Sequence, residues 1–89
     1  ADLDATVFHY RDSNGLEVDA VLQRPSGGWL ALEVRLGAGQ VDAAADNLLR
    51  MRDIVAADPP AALVVVVPTG YAYARPDGVN VVPLAHLGP

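Results

Sequence analysis

The chain is expected to fold as an α/β (α+β) domain. Three antiparallel strands form a meander, one helix crosses over, and further short strands complete a mixed sheet. Three observations support this. Short β-branched and aromatic runs occupy the first third of the sequence, an apolar stripe of period 3.6 occupies the middle, and a valine-rich run follows the helix. With 89 residues and 52% apolar content, the chain suits one small domain. A chain of this size buries only about 60–65% of its unfolded surface.

The elements follow in order. Thr6–Arg11 (TVFHYR) alternates β-branched and aromatic residues and reads as a strand. Asp12-Ser13-Asn14-Gly15 is a turn, because Asn and Gly tolerate positive φ and Asp can close the loop with its side chain. Glu17–Gln23 is the return strand, Pro25-Ser26-Gly27-Gly28 the next reversal, and Trp29–Leu36 the third strand. From about Gln40 to Ala57 the pattern becomes helical, with Val41, Ala44, Ala45, Leu48, Met51 and Val55 on one stripe. Asp42, Asp46, Arg50 and Asp53 fall on the polar side, and Asp58-Pro59-Pro60 stops the helix.

Ala61–Val67 is apolar without alternation, the pattern of a strand covered on both faces. Reached through a helix, it is expected to lie parallel to an earlier strand. Tyr71–Arg75 alternates, Pro76-Asp77-Gly78 is a turn, Val79–Val82 a short last strand, and Pro83–Leu87 a closing helical turn.

Composition narrows the function. Six arginines, no lysine and eleven acids give a net charge of −5. The arginines are scattered, so strong autonomous DNA binding through phosphates is not expected. The absence of cysteine excludes disulfides and thiolate metal sites, and points to the cytoplasm. No run approaches the roughly 20 apolar residues of a membrane span, and no signal peptide is visible. Position 1 is Ala rather than Met, so the chain is expected to be a fragment of a longer protein.

The chemistry-bearing residues sit on adjacent strands: Glu17-Val18-Asp19, then Glu33-Val34-Arg35. Strict alternation places Glu17, Asp19, Glu33 and Arg35 on non-core faces and Val18, Ala20, Leu32 and Val34 on the other. An aspartate, then a Glu-x-basic step on the neighbouring strand, is the layout of a divalent-metal phosphodiesterase site. There, carboxylates hold Mg²⁺ and the basic residue contacts the attacking water. Asp19 and Glu33 are the candidate ligands, with Arg35 as third candidate catalytic residue and Glu17 and Gln23 as outer-shell candidates. Guanidinium cannot act as a base, and its fork pairs readily with carboxylates. Arg35 is therefore expected to lock onto Asp19 or Glu33 rather than to serve catalysis.

Other residues are read more simply. Glu17, besides its outer-shell candidacy, reads more simply as a solvated partner for Arg11 across the hairpin. His9 and His86 have no nucleophile or ligand set beside them. Gly37-Ala38-Gly39 lacks the Gly-Lys-Ser/Thr of a phosphate loop and reads as a strand-to-helix turn. Tyr71 and Tyr73 could stack bases or form an interface, and Trp29 is a core or interface anchor.

The order strand–strand–strand–helix–strand with these acids resembles the restriction-endonuclease-like (PD-(D/E)xK) core. More narrowly, nearly the whole chain resembles the C-terminal domain of unknown function that follows the ATPase module in many prokaryotic AAA-type ATPases. The matching stretches are FHYRDSNGLEVDAVLQ (8–23), WLALEVRLG (29–37), LVVVVP (63–68) and DGVNVVPLAHL (77–87). Members typically read tyrosine-arginine, a turn, Glu-Val-Asp-Phe and then Glu-Val-Lys. Arg35 departs at the lysine position, and Gln23 stands where an acid is often found. The resemblance implies one nuclease-like domain over 1–89, the C-terminal part of a longer ATPase, with an inactive site used for interdomain packing or partner recognition. A Mg²⁺-dependent DNA endonuclease with Asp19 and Glu33 as ligands is the alternative. The partners implied are the parent ATPase module and, through an apolar sheet face left bare by a missing upstream helix, a second copy of the chain.

Overall fold

The computed structural model describes residues 6–11, 17–23 and 27–86, with side chains described from Val18 onward except those of residues 24–26 and Ala38. Its elements are β1 (Thr6–Arg11), β2 (Glu17–Gln23), β3 (Trp29–Val34), α1 (Val41–Ile54), β4 (Ala62–Val67), β5 (Tyr73–Ala74) and β6 (Asn80–Pro83). Short 3₁₀ turns at Ala38–Gln40 and Leu84–His86 precede α1 and follow β6. The six strands form one sheet in the order β1-β2-β3-β4-β6-β5. Pairs β1·β2, β2·β3 and β5·β6 are antiparallel, and pairs β3·β4 and β4·β6 are parallel.

The expected meander, crossover helix and parallel fourth strand are therefore present. β3 ends at Val34 rather than Leu36, and α1 ends at Ile54 rather than Ala57. Val55 caps the helix, its backbone N–H donating to the Met51 carbonyl at 3.0 Å. The turn at 12–15 lies outside the described residues. At the next reversal Gly27 and Gly28 both have positive φ, 91° and 84°, a backbone that only glycine adopts without steric cost.

α1 packs on one face of the sheet. Val41, Ala44, Ala45, Leu48 and Met51 are buried against Val18, Ala31, Leu63, Val65, Val79 and Val81. Leu48 and Met51 are almost wholly enclosed, and each such side chain contributes roughly 1.5–3 kcal/mol of burial. The alanines at 44 and 45 let the helix approach the strands closely. Trp29 ties the post-helix loop to β3. Its indole N–H donates to the Asp58 carbonyl at 2.8 Å, and its own carbonyl accepts from the Ala61 N–H at 2.7 Å.

The opposite face follows from the register. Leu22, Leu30 and Ala62 share one row, Ala20, Leu32 and Val64 a second, and Val34, Val66 and Val82 a third. Every one of these residues is apolar, yet only Val66 is buried. The valine-rich strand β4 is thus covered by α1 on one side and left partly open on the other.

Two strands differ from the expected facing, and β3 alternates strictly but turns the other set of residues toward α1. Glu33 is not on a non-core face. It lies with Ala31 on the helix side and is 1% exposed, whereas Val34, expected in the core, is 50% exposed. On β2 the alternation breaks. Phe8 pairs with Val21 and Tyr10 with Val18, so Asp19 and Ala20 together oppose the single residue His9. This bulge brings both Val18 and Val21 to the helix side, three residues apart.

Candidate functional site

The bulge positions Asp19. The regular β2·β3 ladder runs from Gln23↔Trp29 to Ala20↔Leu32. Beyond it, the Val34 backbone N–H donates to Asp19 Oδ2 at 2.9 Å. A side-chain carboxylate therefore satisfies a main-chain donor where the ladder stops, and Asp19 is fixed against the end of β3. The same oxygen accepts from Arg35 Nη1 at 2.9 Å, and that nitrogen also donates to the Val34 carbonyl at 2.7 Å.

Arg35 then reaches Glu33. Its Nη2 stands 3.2 Å from Glu33 Oε1. β3 pairing continues past its last residue, with the Arg35 N–H donating to the Val66 carbonyl at 2.9 Å, so the guanidinium springs from a fixed backbone. The side chain of Arg35 is 27% exposed, Asp19 43% and Glu33 1%. One cation therefore links a half-exposed carboxylate to a buried one.

Glu33 carries a second bond from the helix, since Asn47 Nδ2 donates to the same Oε1 at 3.0 Å. The other carboxylate oxygen, Oε2, is buried and has no hydrogen-bond partner among the described residues. Burial pushes the Glu33 carboxyl above its ordinary range, opposed by the Asn47 hydrogen bond and the Arg35 charge, while the Asp19 charge adds to the rise. Desolvation leads because a carboxylate loses more in leaving water than two partners on one oxygen restore.

Asp19, Glu33 and Arg35, singled out in the sequence, thus meet at one place. Gln23 does not join them. It is exposed at the far end of β2, paired with Thr6 and Trp29. Glu17 pairs with Arg11 through the backbone, and both side chains lie outside those described. Asn47 escaped sequence reasoning. A polar residue between Ala44 and Leu48 on the buried stripe was the available signal, since such a residue must find a partner inside. Among the described residues no group of three His, Asp or Glu gathers in metal-binding geometry.

A family model for a domain of unknown function, DUF4143, matches residues 1–87. The chain belongs to the DUF4143 family. No curated protein and no solved structure matches it. Among its described residues this DUF4143 domain contains no helix long and apolar enough to cross a membrane. Its family membership covers the elements that carry Asp19, Glu33, Asn47 and Arg35, and assigns none of them a role.

Proposed function

We propose that this DUF4143 domain is a catalytically silent, nuclease-fold accessory module of a prokaryotic AAA-type ATPase, used for packing against the ATPase or for recognising a partner. The ATPase context and nuclease ancestry rest on the sequence resemblance over 8–23, 29–37, 63–68 and 77–87. The silence rests on one observation: the guanidinium of Arg35 lies between the carboxylates of Asp19 and Glu33, at 2.9 and 3.2 Å.

That arrangement does not suit Mg²⁺. The ion takes near-octahedral oxygen ligands at about 2.0–2.1 Å and usually keeps several waters. Here the two acids already face a fixed cation, and Glu33 is enclosed by the sheet and Asn47. A salt bridge of this kind holds the end of β3 to the bulge of β2, which is a structural task. The net charge of −5 also disfavours a phosphate backbone as partner.

One observation favours the second reading, a Mg²⁺-dependent DNA endonuclease with Asp19 and Glu33 as ligands and Arg35 steadying the scissile phosphate. Glu33 Oε2 is a buried oxygen without a hydrogen bond among the described residues, and an ion would satisfy it. The deciding experiment titrates Mg²⁺ and Mn²⁺ against thermal stability followed by Trp29 fluorescence, with Asp19→Asn as control, and assays supercoiled and branched DNA. No metal-dependent rise in melting temperature and no cleavage are expected. Stabilisation lost in Asp19→Asn, together with cleavage lost in Glu33→Gln, would establish the endonuclease instead.

A further inference from the structure

A second concavity lies apart from the Asp19–Glu33–Arg35 cluster and shares no residue with it. It has a volume of about 270 Å³, with Val41, Val67 and Val81 among its apolar lining residues. Tyr71 and Tyr73, which are 88% and 52% exposed, stand in its wall. It opens beyond the carboxyl end of the parallel strand β4, beside the first turn of α1.

Its charge is set by three residues. Arg75 Nη1 donates to Asp42 Oδ1 at 2.6 Å, and Arg75 Nε donates to Asp77 Oδ2 at 3.1 Å. Asp42 and Arg75 line the groove and offset one another, and Asp77, which binds Arg75 from outside the lining, leaves the trio at −1. The Asp42 side chain is 88% exposed, and its Oδ2 makes no hydrogen bond among the described residues. A negative acceptor at the rim, two phenol faces and an apolar floor suit a long side chain that ends in a cation. The volume falls just below the roughly 300–1,000 Å³ of small-molecule pockets, so one side chain fits better than a nucleotide.

We propose that this groove docks an arginine or lysine side chain of a basic protein segment. The aliphatic stem lies on Val41, Val67 and Val81, the cation stacks on Tyr71 or Tyr73, and its N–H groups donate to Asp42. Arg75 holds the Asp42 carboxylate in place and is itself neutralised, so it does not repel the incoming charge.

Acetylated, amidated tri-arginine titrated calorimetrically into the domain at low ionic strength tests this. Saturable one-to-one binding is expected, with Asp42→Asn weakening it about fivefold and Tyr71→Ala about threefold. Both positions are largely exposed, so neither change endangers the fold. Asp53→Asn, at another exposed acid of the same helix, removes the same net charge and is expected to leave affinity unchanged. Equal losses in Asp42→Asn and Asp53→Asn would reduce the binding to bulk charge and overturn the proposal. So would comparable binding of tri-glutamate, no binding at all, or amide shifts on titration that bypass Thr69 and Gly70.

Discussion

The Arg35 guanidinium stands 3.2 Å from the Glu33 carboxylate, and of the two only Arg35 reaches solvent. Removing one partner of such a pair leaves a buried charge uncompensated, at about 3–5 kcal/mol. Arg35→Leu is therefore expected to lower unfolding free energy by about 3 kcal/mol, a large part of what so small a domain has. The double variant Arg35→Leu, Glu33→Leu should recover most of that loss, because the orphan charge is gone. Urea unfolding followed by Trp29 fluorescence measures all three proteins. A double variant no more stable than Arg35→Leu alone would show that no orphan charge had been left behind.

Glu33 also predicts a pH dependence. Its folded carboxyl is raised above the ordinary 4.5, chiefly by burial, so the folded state binds that proton more tightly than the unfolded one. Its contribution is full below 4.5 and is lost as pH rises through the raised value. Asp77 acts in the opposite sense. The Val79 backbone N–H, at 3.0 Å, and Arg75 hold its carboxyl below the ordinary 3.8, so its stabilisation is present above 3.8 and fades as pH falls through the lowered value. The two windows do not overlap. Stability of Glu33→Gln measured against pH should lose the decline above 4.5 and keep the one below 3.8. Parallel curves for the two proteins above 4.5 would mean that Glu33 is not perturbed by burial.

Restoring the lysine of the resembled family is expected to restore nothing. Lysine carries one compact ammonium and cannot span both carboxylates as a planar fork does. Arg35→Lys should lose either the Asp19 or the Glu33 contact, lower stability by about 1 kcal/mol, and leave DNA uncut in Mg²⁺ or Mn²⁺. Cleavage by this variant, absent in the parent, would show a pocket still able to take metal.

Much of this architecture was legible because each local pattern had one physical solution. TVFHYR, EVDAVLQ and the valine run read as strands from their β-branched and aromatic content and short length, and the stripe Val41, Ala44, Ala45, Leu48 and Met51 as one helix face. The orientation of Glu33 was not legible, for a physical reason. In WLALEV both alternating sets contain apolar residues, so either could face α1. The helix took the side of Ala31, where small side chains permit close approach, and carried Glu33 inward with it. The spacing of Val18 and Val21 did hold a signal. Two valines three apart cannot both enter a core on a regular strand, and the bulge at Asp19 and Ala20 resolves that conflict.

The turn before β6 supplies a last expectation. Arg75, Pro76, Asp77 and Gly78 close a reversal in which the Gly78 N–H donates to the Arg75 carbonyl at 3.0 Å. Proline at the second position presets φ, and the Asp77 carboxylate accepts from the Val79 N–H. Gly78 then needs a φ of 92°. A Cβ placed there meets nothing within 4 Å, so Gly78→Ala has no steric neighbour to displace and is opposed only by its own backbone. The expected loss is about 1–2 kcal/mol, with Asn at the same position costing less because it tolerates this region. Thermal unfolding of the two variants checks the order. Equal melting temperatures for Ala and Asn would mean that the turn relaxes to a negative φ.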